Sequence, residues 1–397
     1  MTRLQKIILS ILGIIVCGLT GVVIWILYWN YQAYWSAPLG PALNLPTESA
    51  SSPALAPGNS SPTLSLTPVA DAYNYLPTVT PPPTSTPFPT FTASPSTCGS
   101  NDVVTVLAIG TDSRSNRYEY GLADVIRVVR VDFMNRKVSI LEFPRDLWVK
   151  IPEIADNIGG QDHEKLNQAY LYGNPGFGYW DDPSAGPGLL ARTLNLNFGV
   201  RPDHYIAVNM RTFEQIVDAL DGIDIYLPEA VDGRTSDDTR KSLYFAKGTH
   251  HLDGREALQL ARIRLDGVFE RADTQNRVLC ALRDKLVTPS VLPKIPEIIS
   301  SFMDNVQTDL SPEQIGQFAC LGTRMDPSLI LFASFPQELF KPSRVYDPVF
   351  DSRLFVWEVD FTLLRGYVTM FNTGSWPAPG SGEDDEESMP FCPPPGQ

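Results

Sequence analysis

The chain has 397 residues, enough for two or three ordinary domains, and its acids outnumber its lysines and arginines by 45 to 31, giving a net charge of −14. No internal repeat is present. Four histidines, with neither a CxxC nor an HExxH, disfavour a zinc centre.

Ile7 to Trp29, "IILSILGIIVCGLTGVVIWILYW", is an uncharged apolar run long enough to cross a bilayer as a helix. Arg3 and Lys6 precede it, and no lysine or arginine follows until Arg114. That asymmetry predicts a cytoplasmic N-terminus and an extracytoplasmic remainder, located at the cell membrane. A cleaved signal peptide is the rival reading, but the run is long for one and no small-residue cleavage site follows directly. "WNYQAYW" reads instead as an interfacial aromatic belt, so an uncleaved anchor is expected.

Residues 36–98 are rich in Pro, Ser, Thr and Ala and carry two charges, Glu48 and Asp71. Such a composition has little to bury and reads as a semi-extended tether. Four cysteines lie beyond the apolar run, Cys98, Cys280, Cys320 and Cys392, an even number in a compartment that permits disulfides. Cys280 with Cys320 would staple two helices, and Cys98 with Cys392 would clasp the ends of the folded part. The spacing fixes neither pairing. Residues 375–397 read as a solvated acidic tail that would supply part of the net charge, so the overall sign says little about a pocket.

The pattern changes at Asp102. "VVTVLAIG", "DVIRVVRVD" and "KVSILEFP" read as strands, the last two joined by a hairpin turn at "FMNRK". "LNQAYLYG" and "GPGLLARTLNLNFG" read as helices, "HYIAVNM" as a strand, "RTFEQIVDALDG" as an amphipathic helix and "IDIYLP" as a strand. Helical periodicity returns in "LDGREALQLARIR", "TQNRVLCALRDKL", 293–305 and 312–322, before the strand "LILFASFP". The alternation predicts an α/β fold with a central mixed β-sheet flanked by helices on both faces. The expected organisation is a cytoplasmic start (1–6), a transmembrane helix (7–29), a linker (30–100), a catalytic domain (101–289), a C-terminal extension packed on it (290–374) and the tail (375–397).

Asp112 and Arg114 follow a strand and a glycine, where ligands collect in open α/β sheets, although a capped turn explains them equally. Asp124 opens the next strand; paired carboxylates at neighbouring strand ends suit Mg²⁺. Arg145 and Asp146 follow a strand and a proline, and Lys165 begins a helix, where a surface lysine is the plain reading. There is no GxxxxGK[ST] loop and no GxSxG elbow. His250 and His251 are adjacent, poor geometry for one metal. "ARIRLDGVFERADTQNR" crowds Arg262, Arg264, Arg271 and Arg277 into one run. Solvation, pairing with carboxylates or capture of an anion are the three ways to accommodate that crowding. Arginine binds phosphate bidentately and stays charged.

In order, "LAIGTDSR", "ADVIRVVRVD", "KVSILEFPRDLWVKIP", "KLNQAY", "HYIAVNMRTFEQIVDALDGIDIYLP" and "LDGREALQLARIR" resemble successive blocks of the LytR-CpsA-Psr family of bacterial envelope proteins, from about Val103 to Leu286. The resemblance implies a membrane-anchored phosphotransferase. It would take a glycopolymer from a polyprenyl pyrophosphate carrier and attach it through a phosphodiester to peptidoglycan, with Mg²⁺ and without nucleic acid as a partner. It further implies that Asp112 and Asp124 hold the metal, that Arg145, Arg262, Arg264, Arg271 and Gln275 grip the pyrophosphate, and that Arg114 and Lys165 line the same site. One block departs. The family's Gly-Asp-Phe-Gly-Arg reads here Gly267-Val268-Phe269-Glu270-Arg271, and valine cannot accept a proton. Asp266, Glu270 or Asp273 would have to replace the missing carboxylate. Otherwise the protein is a weakened or non-catalytic member that binds the lipid-linked polymer, or a pyrophosphatase that hydrolyses the carrier.

Overall fold

The computed structural model describes residues 102–234, 243–263, 270–291, 305–348 and 351–377, with Cys98, Gly99, Cys392 and short runs within 20–46 and 293–298. The apolar run at 7–29 falls largely outside these residues. Among the described residues no helix is long and apolar enough to cross a membrane.

From the N-terminal side, strands β1 (Val103–Thr111), β2 (Ala123–Asp132) and β3 (Lys137–Glu142) form an antiparallel meander. The turn between β2 and β3 closes because Asp132 accepts hydrogen bonds from the backbone and side-chain nitrogens of Asn135, at 2.9 and 3.0 Å. A ribbon of β4 (Trp148–Lys150) and β5 (His163–Lys165) leads into helices α1 (Leu166–Gly173) and α2 (Ala185–Phe198). Helix α2 stops at Gly199, whose φ of 75° is the left-handed conformation glycine supplies without strain. Strand β6 (His204–Asn209) then runs parallel to β1.

Helix α3 (Met210–Ala219) begins at Asn209, whose side chain accepts from the Thr212 amide. Strands β7 (Ile223–Leu227), β8 (Val231–Asp232), β9 (Tyr244–Phe245) and β10 (Gly248–Leu252) follow. Helix α4 (Gly254–Arg262) starts on an Asp253–Glu256 capping box, and α5 (Glu270–Leu286) comes next. After β11 (Val306–Thr308), α6 (Pro312–Arg324) and β12 (Ile330–Ala333), the chain forms a hairpin, β13 (Lys341–Asp347) and β14 (Ser352–Glu358). Helix α7 (Phe361–Thr373) is capped by Asp360.

The central sheet has the order β11-β6-β1-β2-β3-β12 and is mixed. Its two faces are separated by strand alternation. Ile126, Val128 and Leu141 enter the main core with Leu166, Tyr170 and Leu190 of α1 and α2 and Leu364 of α7. Val131 and Val138 face the other way, onto Leu321 and Phe318 of α6. Helices therefore cover both faces, as the α/β pattern predicts. The strand read in "IDIYLP" is β7, which pairs with β10 in a separate ribbon; with α3, α4 and α5 it encloses a second core around Val217, Ile225 and Leu260. Both edges of the main sheet, β11 and β12, come from the region after 290.

The cysteines pair as Cys98–Cys320 and Cys280–Cys392, crossing the two pairings considered from the sequence. Packing explains the choice. Cys98 lies where the chain enters β1, against the Phe318 side of α6, while the Cys392 amide donates to Ile330 of β12 beside Cys280 of α5.

Candidate functional site

The candidate site grows from one irregularity in the β1–β2 ladder. Gly110 pairs with Val125, but Thr111 pairs with Ala123, so Asp124 is the extra residue of a β-bulge. Bulges re-aim a side chain out of the alternating pattern. Immediately after β1, the Asp112 amide donates to Leu122 at 3.2 Å, and its carboxylate accepts from the Leu122 amide at 2.6 Å. Gly121 makes this tight return possible. Its φ is 143°, and a Cβ there would sit 2.7 Å from the Thr111 hydroxyl and 2.8 Å from the Ser113 nitrogen. Asp112 and Asp124 thus flank one corner of the sheet. Among the described residues the second oxygen of Asp112 accepts no hydrogen bond.

The end of β3 brings the cations. Arg145 bonds Asp124 through Nη1, and its Nε donates to Asp146 at 3.3 Å. Lys165, at the start of α1, reaches the other oxygen of Asp146 at 2.7 Å. The backbone locks this arrangement, since the Asn167 amide donates to the Arg145 carbonyl and the Leu166 amide to that of Leu147. The result is an alternating chain of charges, Asp124–Arg145–Asp146–Lys165. The Arg145 side chain is 17% exposed. Burial alone would lower its pKa, but Asp124 and Asp146 together outweigh burial and raise it, so the guanidinium is permanently charged.

Beside this cluster stands a cation that sequence reasoning missed. Arg127 on β2 is buried, and it pairs with Glu142 at 2.7 Å across to β3. It also donates to Asn276 at 2.7 Å and to Gln275 at 3.3 Å, both on α5. Gln275 in turn donates to the Ala261 carbonyl at the end of α4. Arg127 therefore joins the strand ends to the two helices carrying the arginine-rich run. The available signal was an arginine amid β-branched residues in "DVIRVVRVD", where a charge needs a partner.

Of the residues predicted from the sequence, Asp124, Arg145 and Lys165 belong to one ion-pair chain, and Asp112 shares the bulge. Gln275 is buried and held by Arg127. Arg114 is exposed in the bend after β1, and Arg262 is exposed at the last position of α4. Arg264 lies outside the described residues, as do Asp266, Val268 and the side chains of Glu270 and Arg271. Asp273 lies on α5, where its carboxylate acts on the Arg277 guanidinium. Among the described residues no group of three or more His, Cys, Asp or Glu stands ready to hold a metal ion. Asp112 and Asp124 supply hard oxygen donors of the kind that Mg²⁺ takes in ones and twos, with water and substrate phosphate completing its shell. His250 and His251 bond separately, to the Ala246 carbonyl and to Asp224.

Fold and site together define a class: an α/β protein with a conjoined carboxylate and guanidinium cluster at the bulged end of its central sheet. A model of the LytR_cpsA_psr family matches residues 83–343. The chain belongs to the LytR-CpsA-Psr family. It is 30% identical over 218 residues to the regulatory protein MsrR of Staphylococcus aureus (strain COL), covering 54% of this chain and 58% of MsrR. It is also 30% identical over 209 residues to the polyisoprenyl-teichoic acid–peptidoglycan teichoic acid transferase TagV of Bacillus subtilis (strain 168), covering 52% of this chain and 49% of TagV. The chain thus matches about half to three-fifths of the length of these relatives. The crystal structure of B. subtilis TagV superposes with a TM-score of 0.52 at 24% identity, over 68% of this chain and 97% of that one, and shares the fold.

Proposed function

We propose that the protein is a membrane-anchored, extracytoplasmic phosphotransferase that moves a glycopolymer from a polyprenyl pyrophosphate carrier to peptidoglycan, with Mg²⁺. The observation that carries this reading is the Asp124–Arg145–Asp146–Lys165 chain beside Asp112. The name of the relative TagV, a teichoic acid transferase acting on peptidoglycan, supports the choice of substrate. The charges support the metal. Asp112, Asp124 and Asp146 outnumber Arg145 and Lys165, so this group alone repels a pyrophosphate. A divalent ion on Asp112 and Asp124 would reverse the sign and neutralise pyrophosphate oxygens as the bridging bond breaks. Arg262, Arg264 and Arg271 would add guanidiniums from the α4–α5 side.

In the reaction, the acceptor hydroxyl of the glycan attacks the phosphorus attached to the polymer. A new P–O bond forms, the phosphoanhydride bond breaks, and polyprenyl phosphate leaves with the electron pair. Arg145, held in place by two carboxylates, orients the phosphates and stabilises charge on their oxygens; Lys165 acts beside it. Phosphoryl transfer needs mainly such positioning and neutralisation. The proton of the acceptor hydroxyl must go to a carboxylate other than the one Val268 replaces, and Asp266, Glu270 and Asp273 are the nearest in sequence.

The test is mass spectrometry of the products formed from a polyprenyl pyrophosphate-linked glycopolymer and peptidoglycan oligomers with Mg²⁺. Phosphodiester-linked product is expected. Release of free phosphorylated polymer alone would identify a pyrophosphatase, and tight binding with no product would identify the non-catalytic member that Val268 makes the second reading.

A further inference from the structure

The hairpin β13–β14 lies at and beyond the end of the residues matched by the family model, and it touches the site directly. The Trp357 amide donates to the Asp146 carbonyl at 2.9 Å, and Trp357 bridges to Leu147. Asp146 is the carboxylate shared by Arg145 and Lys165. The hairpin is therefore an arm whose base is bonded to the phosphate-site segment.

Its two faces differ. Asp347 and Val356 are buried on the inner face. On the outer face the register pairs Pro342 with Trp357, Arg344 with Phe355, and Tyr346 with Arg353. Tyr346 is 57% exposed and Phe355 37%, and both arginines are exposed. An arginine thus faces an aromatic ring across the strands in two of these three pairs. Among the described residues neither arginine has an ion-pair partner. The outward strand positions carry no acid, in a chain whose net charge is −14; Asp351, in the turn, accepts from the Tyr346 hydroxyl at 2.7 Å. Phe355 packs edge-on against Trp357, and both arginines stay open to solvent, so the patch is held in place with its guanidiniums available to an anion.

We infer that the outer face of the β13–β14 hairpin is a binding track for the anionic glycopolymer, leading its chain away from the site at Arg145 and Lys165. The chemistry matches the occupant. Guanidiniums bind phosphate or carboxylate groups bidentately, and aromatic faces offer flat apolar platforms to sugar rings and polyol carbons. From Pro342 to Tyr346 the outward positions give a track of about 13 Å, room for a short stretch of a polymer. The identity of the polymer rests on the transfer reading above; the track itself rests on the hairpin.

The experiment titrates the full chain, in detergent, with wall teichoic acid released from B. subtilis, and compares the Arg344→Ala/Arg353→Ala pair. Affinity is expected to fall roughly tenfold or more, with a shallower salt dependence, since two charge-assisted contacts are lost. Tyr346→Ala/Phe355→Ala should weaken binding without changing the salt slope. An Arg344→Lys/Arg353→Lys pair retains charge and separates its loss from misfolding; it should bind better than the alanine pair. Unchanged affinity in the alanine pair would overturn the inference. So would equal binding of single-stranded DNA of matched charge, or capture of anionic lipid vesicles through the same arginines in place of the polymer. Binding is read without turnover. Hairpin-dependent binding with no linked product would sink the transfer reading alone, and linked product with hairpin-independent binding would sink the track alone.

Discussion

Two pairs of carboxylates lie on either side of the β4–β5 ribbon, and the protein treats them in opposite ways. Asp124 and Asp146 share Arg145, and Asp146 also holds Lys165. Glu164, the residue before that lysine, and Asp347 of β13 are fully buried and hydrogen-bond each other. Cations stand between the members of the first pair. The second has no cation beside it: burial first, and then Asp347, push Glu164 up to about 8 from an ordinary 4.5. Gln161 donates to its other side at 2.6 Å. On the function proposed above, carboxylates with cations make a cluster that passes a guanidinium to an incoming phosphate. Carboxylates without them make a pH-sensitive clasp, here fastening the hairpin to β5.

The sharpest way to break this contrast is to remove the shared cation. Arg145→Ala should lower turnover roughly a thousandfold, about 4 kcal/mol, because the variant loses the neutralisation of Asp124 and Asp146 and, on the function proposed above, the phosphate contact. Steady-state rates on a lipid-linked polymer would check it, and unimpaired turnover would count against the assigned site. Arg127→Ala should act next most strongly, and on stability. Leaving Glu142, Asn276 and Gln275 without their common partner should cost about 3 kcal/mol in chemical denaturation, and Gln275 should lose its fixed position. A denaturation midpoint equal to that of the parent chain would show that Arg127 does not organise α5.

The smallest effect at neutral pH, and the most diagnostic, concerns the clasp. Glu164 has a folded-state pKa above its unfolded one. Its contribution to stability is therefore complete below about pH 4.5 and lost as pH rises through about 8. Thermal unfolding from pH 4.5 to 8.5 should show that decline in the parent chain, levelling off above about pH 8. In Glu164→Gln, which stays neutral, the decline should be absent. A decline of equal size in both proteins would show that Glu164 is not the titrating group.

The same contrast explains what could be read from the sequence. Strands β1 to β3, their turn and the helices α1 to α6 announced themselves through local periodicity and glycine stops, and the charged positions after strands marked the corner where Asp112, Asp124 and Arg145 sit. The edges of the sheet did so only in part. Strand β12 lies within the run "LILFASFP", but β11 has three residues, too short for a periodic signal, and is fixed by its pairing with β6. The hairpin was hidden for a different reason: "KPSRVYD" and "SRLFVWE" alternate arginine with aromatic residues, a pattern that buries little on its outer side. Cysteine pairing depended on which helix covers which face, again a tertiary fact. Arg127 and Glu164 were illegible because nothing local distinguishes a buried charge from a solvated one.

The most direct measurement is a calorimetric titration of the full chain with farnesyl pyrophosphate in the presence of Mg²⁺. The charge-cluster account predicts binding that weakens roughly a hundredfold in Arg145→Ala, about 2.7 kcal/mol, and also weakens when Mg²⁺ is chelated. Binding of equal strength in the parent chain and in Arg145→Ala would contradict it.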